Sequence, residues 1–176
     1  MNRAQLEHII RAAAQLADDE ELIVIGSQAI LGQYPAAPPE LLASVEAFVY
    51  PKNHPERADV IDGAIGELSM FHETFGYYAQ GVGEKTAVLP ERWRERLFPV
   101  RGSGTRGATG WCLEAHDLAV SKLVAGRPKD LEFVGSLCRH RLVDAGTLRS
   151  RLAATELSDE LRAAVVARAN AALEVS

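Results

Sequence analysis

Cysteine is scarce in this 176-residue chain: only Cys112 and Cys138 are present, and neither has Cys or His partners at metal-ligand spacing. Two cysteines cannot build a disulfide-rich scaffold, and reduced thiols are the expectation. The five histidines, His8, His54, His72, His116 and His140, form no HExxH or paired spacing, which argues against a zinc site. No stretch approaches the roughly 20 apolar residues a membrane helix requires. The opening Met1-Asn2-Arg3-Ala4-Gln5-Leu6-Glu7 lacks the apolar core of a signal peptide, so a cytoplasmic protein is expected. There is no Gly-x-Ser-x-Gly elbow, so Ser27 with His54, His72 or His116 does not read as a hydrolase. Repeats and low-complexity tracts are also missing.

What is there points to a globular chain. Apolar residues make up 47%, enough for a core and too many for disorder. The net charge of −5 is unevenly spread. Residues 92–151 hold 12 of the 19 Lys and Arg but 6 of the 24 acids, so this segment is about +6 and the remainder about −11. Such polarity can steer a polyanion such as ATP or RNA to one face, or can mean two solvated surfaces of opposite sign.

Periodicity supplies the elements. Leu6, Ile9, Ile10, Ala13 and Leu16 predict one buried face of an amphipathic helix. Leu22-Ile23-Val24-Ile25, stopped by Gly26, predicts a strand buried on both faces. Gly26 to Gly32 reads as a turn opening a short helix, and the proline-rich 34–39 piece as a loop. Ser44 to Tyr50 predicts a second strand, and Ala58 to Ile65 a helix with Val60, Ile61, Ala64 and Ile65 inward. Tyr77–Gln80 and Thr86–Leu89 read as a hairpin around Gly81–Lys85, followed by a short helix from Glu91 to Leu97. Arg101 to Gly107 reads as a flexible basic loop able to hold an RNA backbone, and Gly110 to Leu113 as a last strand. Helices follow: one capped by Asp117, one over Lys129–Leu137, and one over Asp159–Leu173 with Ser158 as N-cap. Trp93 and Trp111 read as packing anchors. The layout is α+β or mixed α/β.

Three groups of residues bear on chemistry. Gly26-Ser27, at the end of a buried strand and before a helix, lets backbone approach a phosphate and adds a hydroxyl donor. Glu46 sits on the next strand. Lys122, Arg127, Lys129 and Asp130 follow in order on the downstream helices. In these blocks the chain resembles the nucleotidyltransferase (polymerase-β-like) superfamily, closest to bacterial nucleotidyltransferase-like proteins and the toxin-like enzymes of abortive-infection toxin–antitoxin pairs. The resemblance covers about residues 21–137 and rests on the Ser44–Pro51 strand and the His116–Leu123 helix.

The resemblance implies a nucleotidyltransferase-like α/β core over 1–115, with a mixed sheet flanked by helices, and a helical region packed on it over 116–176. It implies transfer of a nucleotidyl group from NTP, with Mg, to an RNA or protein hydroxyl. Gly26, Ser27, Lys122, Arg127 and Lys129 would bind nucleotide; Glu46, Lys122 and Asp130 would serve catalysis; Glu46 would hold metal. The family pairs two carboxylates one residue apart, facing the same side of the strand. Here Phe48 stands where the second belongs. Either the chain is a catalytically impaired module that binds nucleotide, RNA (tRNA included) or a cognate toxin or antitoxin, or an acid such as Glu114 or Asp62 completes the site, or Glu46 is a surface acid.

Overall fold

The computed structural model describes residues 1–174. The first helix, α1 (Arg3–Ala17), starts at a reciprocal cap: Asn2 accepts from the Gln5 amide while the Gln5 side chain accepts from the Asn2 amide. Leu6, Ile9, Ile10 and Ala13 are buried as their spacing predicts, but Leu16 is partly exposed, and Ala14 and Ala17 complete the inner face instead. β1 (Glu21–Ile25) follows, with Leu22 to Ile25 all buried. It is central: it pairs antiparallel with β2 (Glu46–Pro51) and parallel with β5 (Thr109–Cys112). A strand flanked on both edges and covered on both faces must be apolar throughout. Helix α1 lies against one face, where the Ile10 side chain fills the space over Gly110.

Helix α3 (Ala58–Ile65) has the predicted bounds, yet Ala58, Ile61 and Ile65 face the core while Val60 and Ala64 are exposed. Short α4 (Met70–Phe75) had no sequence forecast. It is capped by Ser69, which accepts from the His72 amide. The expected hairpin does not form. β3 (Tyr78–Gly81) instead adds parallel to the open edge of β2, with Glu46 opposite Tyr78. Gly81 packs under the Ala58 carbonyl of α3, too close for any side chain. The chain then leaves through a 3₁₀ turn at Glu84–Thr86, and 86–89 joins no ladder. β2 satisfies β3 over a long range, and that pairing displaces the local one.

The helix expected over 91–97 shrinks to a 3₁₀ turn, Trp93–Arg96, because Arg92 adopts a left-handed conformation at φ 59°. β4 (Phe98–Val100) then pairs antiparallel with β5. Its Pro99 is tolerated because β4 is an edge strand. Among the described residues the sheet order is β3-β2-β1-β5-β4. The loop expected to be flexible over 101–107 contains a 3₁₀ turn, Ser103–Thr105, seated on α1: Arg11 Nη1 donates to the Gly104 carbonyl at 3.2 Å, and Thr105 is buried.

The remainder is helical: α5 (Ala115–Ala125), α6 (Pro128–Arg139), α7 (Ala145–Ala153) and α8 (Asp159–Glu174). Helix α7, capped by Asp144, was not forecast. Asp117 does not cap α5. Glu114 does, accepting from the His116 and Asp117 amides, while Asp117 is fully buried one turn in. Ser158 Oγ accepts from the Leu161 amide, as expected of a cap. Core residues from Met1 to Ala169 form one hydrophobic cluster. Among the described residues no helix is long and apolar enough to cross a membrane.

Candidate functional site

β1 ends at Gly26, whose φ of 76° and ψ of −179° are open essentially to glycine alone. The chain turns there into a 3₁₀ segment, Ser27–Ala29, that runs on into α2 (Ile30–Gln33). This brings Ser27 to the wall of a cleft of about 410 Å³. Across from Gly26 lies Phe48: its Cδ2 would stand 3.1 Å from a Cβ at position 26, and Phe48 is the register partner of Ile25. Phe48 and Glu46 alternate with buried Ala47 and Val49, so both half-buried side chains face the same side of β2, and both line the cleft.

The opposite wall comes from α5 and α6. Lys122 reaches it from the last turn of α5, and Arg127 occupies the N-cap position of α6. Gly126 joins the two helices at φ 65°, and α8 steadies the joint: Arg168 Nη1 donates to the Leu123 carbonyl at 2.8 Å. Asp130, in the first turn of α6, is 1% exposed and binds both cations. Lys122 Nζ lies 2.9 Å from its Oδ1, and Arg127 Nε donates to Oδ2 at 2.6 Å. Burial pushes the Asp130 carboxyl up, but the hydrogen bonds and charges of Arg127 and Lys122 more than offset it and hold it below its ordinary value. The Lys122 ammonium also sits 5.6 Å from the Phe133 ring centre. Lys129, at the same helix N-terminus, is exposed and lines the cleft.

Glu46 behaves differently. Burial raises its carboxyl, the charges of Lys129, Lys122 and Arg127 pull it down, and Glu67 raises it again; the net direction is upward. Its charge also acts on Tyr78, its neighbour on β3, whose hydroxyl is raised by burial first and then by Glu46.

The structure therefore brings Ser27, Glu46, Lys122, Arg127, Lys129 and Asp130 to one cleft, with Gly26 immediately behind Phe48. Neither suggested replacement for the missing acid is there. Glu114 is committed to the α5 cap and to His116, 2.6 Å from its Nδ1, and Asp62 sits exposed on α3; neither lines the cleft. Reading the sequence missed Glu40, Glu132, Phe133 and Ser136, which also line it. The last three recur at helical spacing from Lys129, a signal that was available once α6 was recognised. Glu40 directly follows the proline-rich segment, and no periodicity marked it.

The donor set does not fit a two-carboxylate magnesium site. Phe48 offers no oxygen, and the described residues contain no group of three His, Cys, Asp or Glu side chains placed to hold one ion. The cleft lining nevertheless carries three cations, Lys122, Arg127 and Lys129, around a helix N-terminus and a Gly-Ser turn. That arrangement suits an anion with several oxygens.

A mixed sheet bearing a Gly-Ser turn on one strand, an acid on its antiparallel neighbour and basic residues on the following helices resembles the nucleotidyltransferase plan with one carboxylate of the pair replaced. The chain belongs to DUF6036, a family of nucleotidyltransferases of unknown function, which it matches over residues 4–171. No curated protein and no solved structure matches it.

Proposed function

We propose that this member of the family binds a nucleoside triphosphate in the cleft and that its nucleotidyl transfer chemistry is impaired. The observation that carries the reading is Phe48, which faces the cleft from the strand position where the resemblance requires a second carboxylate, packed against Gly26. Lys122 and Arg127, held apart and oriented by Asp130, neutralise phosphate oxygens, Arg127 through its fork and Lys122 as a point charge. Lys129 adds an exposed charge at the mouth, and Ser27 a hydroxyl at the turn. Glu46, with its carboxyl raised by burial, is left as the single acid of the strand. The chain acts on this reading as a nucleotide-responsive module, and its partner is RNA or a cognate protein of a toxin–antitoxin pair.

A second reading keeps catalysis: transfer from NTP, with Mg, to an RNA or protein hydroxyl, using Glu46 and Asp130. Glu46, facing the three cations, favours it. Calorimetric titration with the four common NTPs, with and without Mg²⁺, separates the two. Binding indifferent to Mg²⁺ is expected, with no labelling of RNA or protein from radioactive NTP. Magnesium-dependent binding accompanied by labelling would establish the transferase instead. In Phe48→Asp, the restored acid pair is expected to make nucleotide binding respond to Mg²⁺.

A further inference from the structure

The cleft extends well beyond its basic end. Helix α6 forms one wall, and from Lys129 to Ser136 it advances about 10 Å at roughly 1.5 Å per residue, a distance that separates the phosphates of a nucleotide from its base. Lys122, Arg127 and Lys129 gather at the N-terminal end of this wall, close enough to Glu46 for their charges to act on it. At the other end stands Glu40, with Leu41 and Ala43 on the facing segment and Ser136 on α6.

Glu40 is not a loosely placed surface acid. It sits in a 3₁₀ turn, Pro39–Leu41, opened by two prolines that fix the backbone and anchored by Leu41, which is buried. Its Oε1 accepts from Ser136 Oγ at 3.3 Å and lies 2.7 Å from His140 Nε2. Both partners come from α6 and its C-cap, so the carboxylate is tied across the end of the cleft. These contacts use one oxygen. The carboxylate also interacts with its own backbone amide, and Oε2 has no side-chain donor among the described residues. A fixed carboxylate with an open acceptor, at the end of an anion-binding cleft opposite the cations, presents an acceptor edge to whatever group lies beside it.

We infer that Glu40 reads the base of the bound nucleotide. It selects bases carrying an exocyclic amino group over their counterparts carrying a carbonyl oxygen at the same position. The inference rests on the nucleotide-binding reading of the cleft. An exocyclic amine donates to Oε2. A carbonyl oxygen in that place sets two acceptors against each other, one of them charged, with no proton between them. Cytosine against uracil, and adenine against hypoxanthine, are matched pairs in which this amine becomes an oxygen; the adjacent ring nitrogen changes with it from acceptor to N–H donor, and a carboxylate tied by Ser136 and His140 opposite the exocyclic position does not follow it.

The experiment is a calorimetric titration of the full chain with CTP, UTP, ATP and ITP. Wild type is expected to bind CTP over UTP, and ATP over ITP, by on the order of tenfold, the worth of one charged hydrogen bond. In Glu40→Gln the amide can present either its oxygen or its NH₂, so both ratios should fall to near one. Glu40→Ala should bring the same collapse without the polar group, and a half-exposed side chain makes either variant safe to fold. Equal wild-type affinity within both pairs, or ratios unchanged in Glu40→Gln, overturns the role of Glu40 while leaving nucleotide binding in place. No binding of any of the four strikes the nucleotide site itself.

Discussion

Helix α5 carries, or faces, two buried aspartates that each hold two cations, and the two groups end in opposite states. Asp130, 1% exposed, takes Lys122 and Arg127 directly. Its carboxyl lies below its ordinary value. Asp117, fully buried, takes both prongs of Arg96, with Nε 2.8 Å from Oδ2 and Nη2 3.0 Å from Oδ1. Arg151 Nε lies 3.3 Å from Oδ1 but is not aligned to donate to it. There burial outweighs the arginines, with Glu114 nearby adding to it, and the carboxyl is raised. The Asp117 group ties the 93–96 turn and α7 to α5 and faces no cleft. The Asp130 group opens on one. Ion pairing alone therefore does not mark a site; what marks this one is that both of its cations line a cleft.

Breaking the structural group should cost the most stability. Asp117→Ala leaves two arginines beside a buried hole and is expected to lower unfolding free energy by about 3–5 kcal/mol, read as a fall in the urea midpoint. Nucleotide affinity at a temperature where the variant is folded should stay near wild type, since Asp117 does not line the cleft. Lys122→Ala also takes a partner from the buried Asp130 and costs some stability, but unlike Asp117→Ala it reaches the cleft. It should weaken NTP binding by roughly 10- to 100-fold, the range of a lost charged hydrogen bond, and a binding loss no larger than that of a surface lysine would remove Lys122 from the site.

The two aspartates should also separate by pH. The folded pKa of Asp130 is depressed, so its contribution is present above the unfolded carboxylate range and is lost as pH falls through the folded value. Asp130→Asn should flatten that acid loss. The folded pKa of Asp117 is raised, so between its unfolded and folded values the native state binds more protons. Its contribution grows as pH falls through that window, and Asp117→Asn should remove this opposite slope. Urea titrations from pH 7 to pH 3 decide both; equal profiles in the two variants would erase the contrast. The smallest effect belongs to Arg127→Ala. Its side chain is about half exposed, so stability should change by less than about 1 kcal/mol, while NTP affinity falls measurably.

Much of this was readable beforehand, and the failures have a common cause. The buried face of α1, strand β1 and the bounds of α3 follow from local periodicity, which depends on which neighbours share a face. The Gly26-Ser27 turn and the order Lys122, Arg127, Lys129, Asp130 were visible because they lie within single elements or adjacent ones. Glu40 was not: its place in the cleft depends on His140, a hundred residues away. The hairpin forecast failed because Tyr78–Gly81 found a partner in β2, and a local pattern cannot weigh a distant edge. Asp117 looked like a cap because acids at helix starts usually are; only the arrival of Arg96 and Arg151 made it a buried ion-pair centre.

The sequence by itself determined the alternation that turns Glu46 and Phe48 to the same side of β2, the Gly-Ser turn that closes β1, and the replacement of an expected acid by an aromatic ring. Those follow from backbone geometry and side-chain chemistry within a few residues. Tertiary structure decided which charges are held and which are reachable, that no other acid fills the place of Phe48, and that Glu40 stands at the far end of the cleft. These depend on packing between elements far apart in the chain, where burial and long-range pairing set the energy of every charged group.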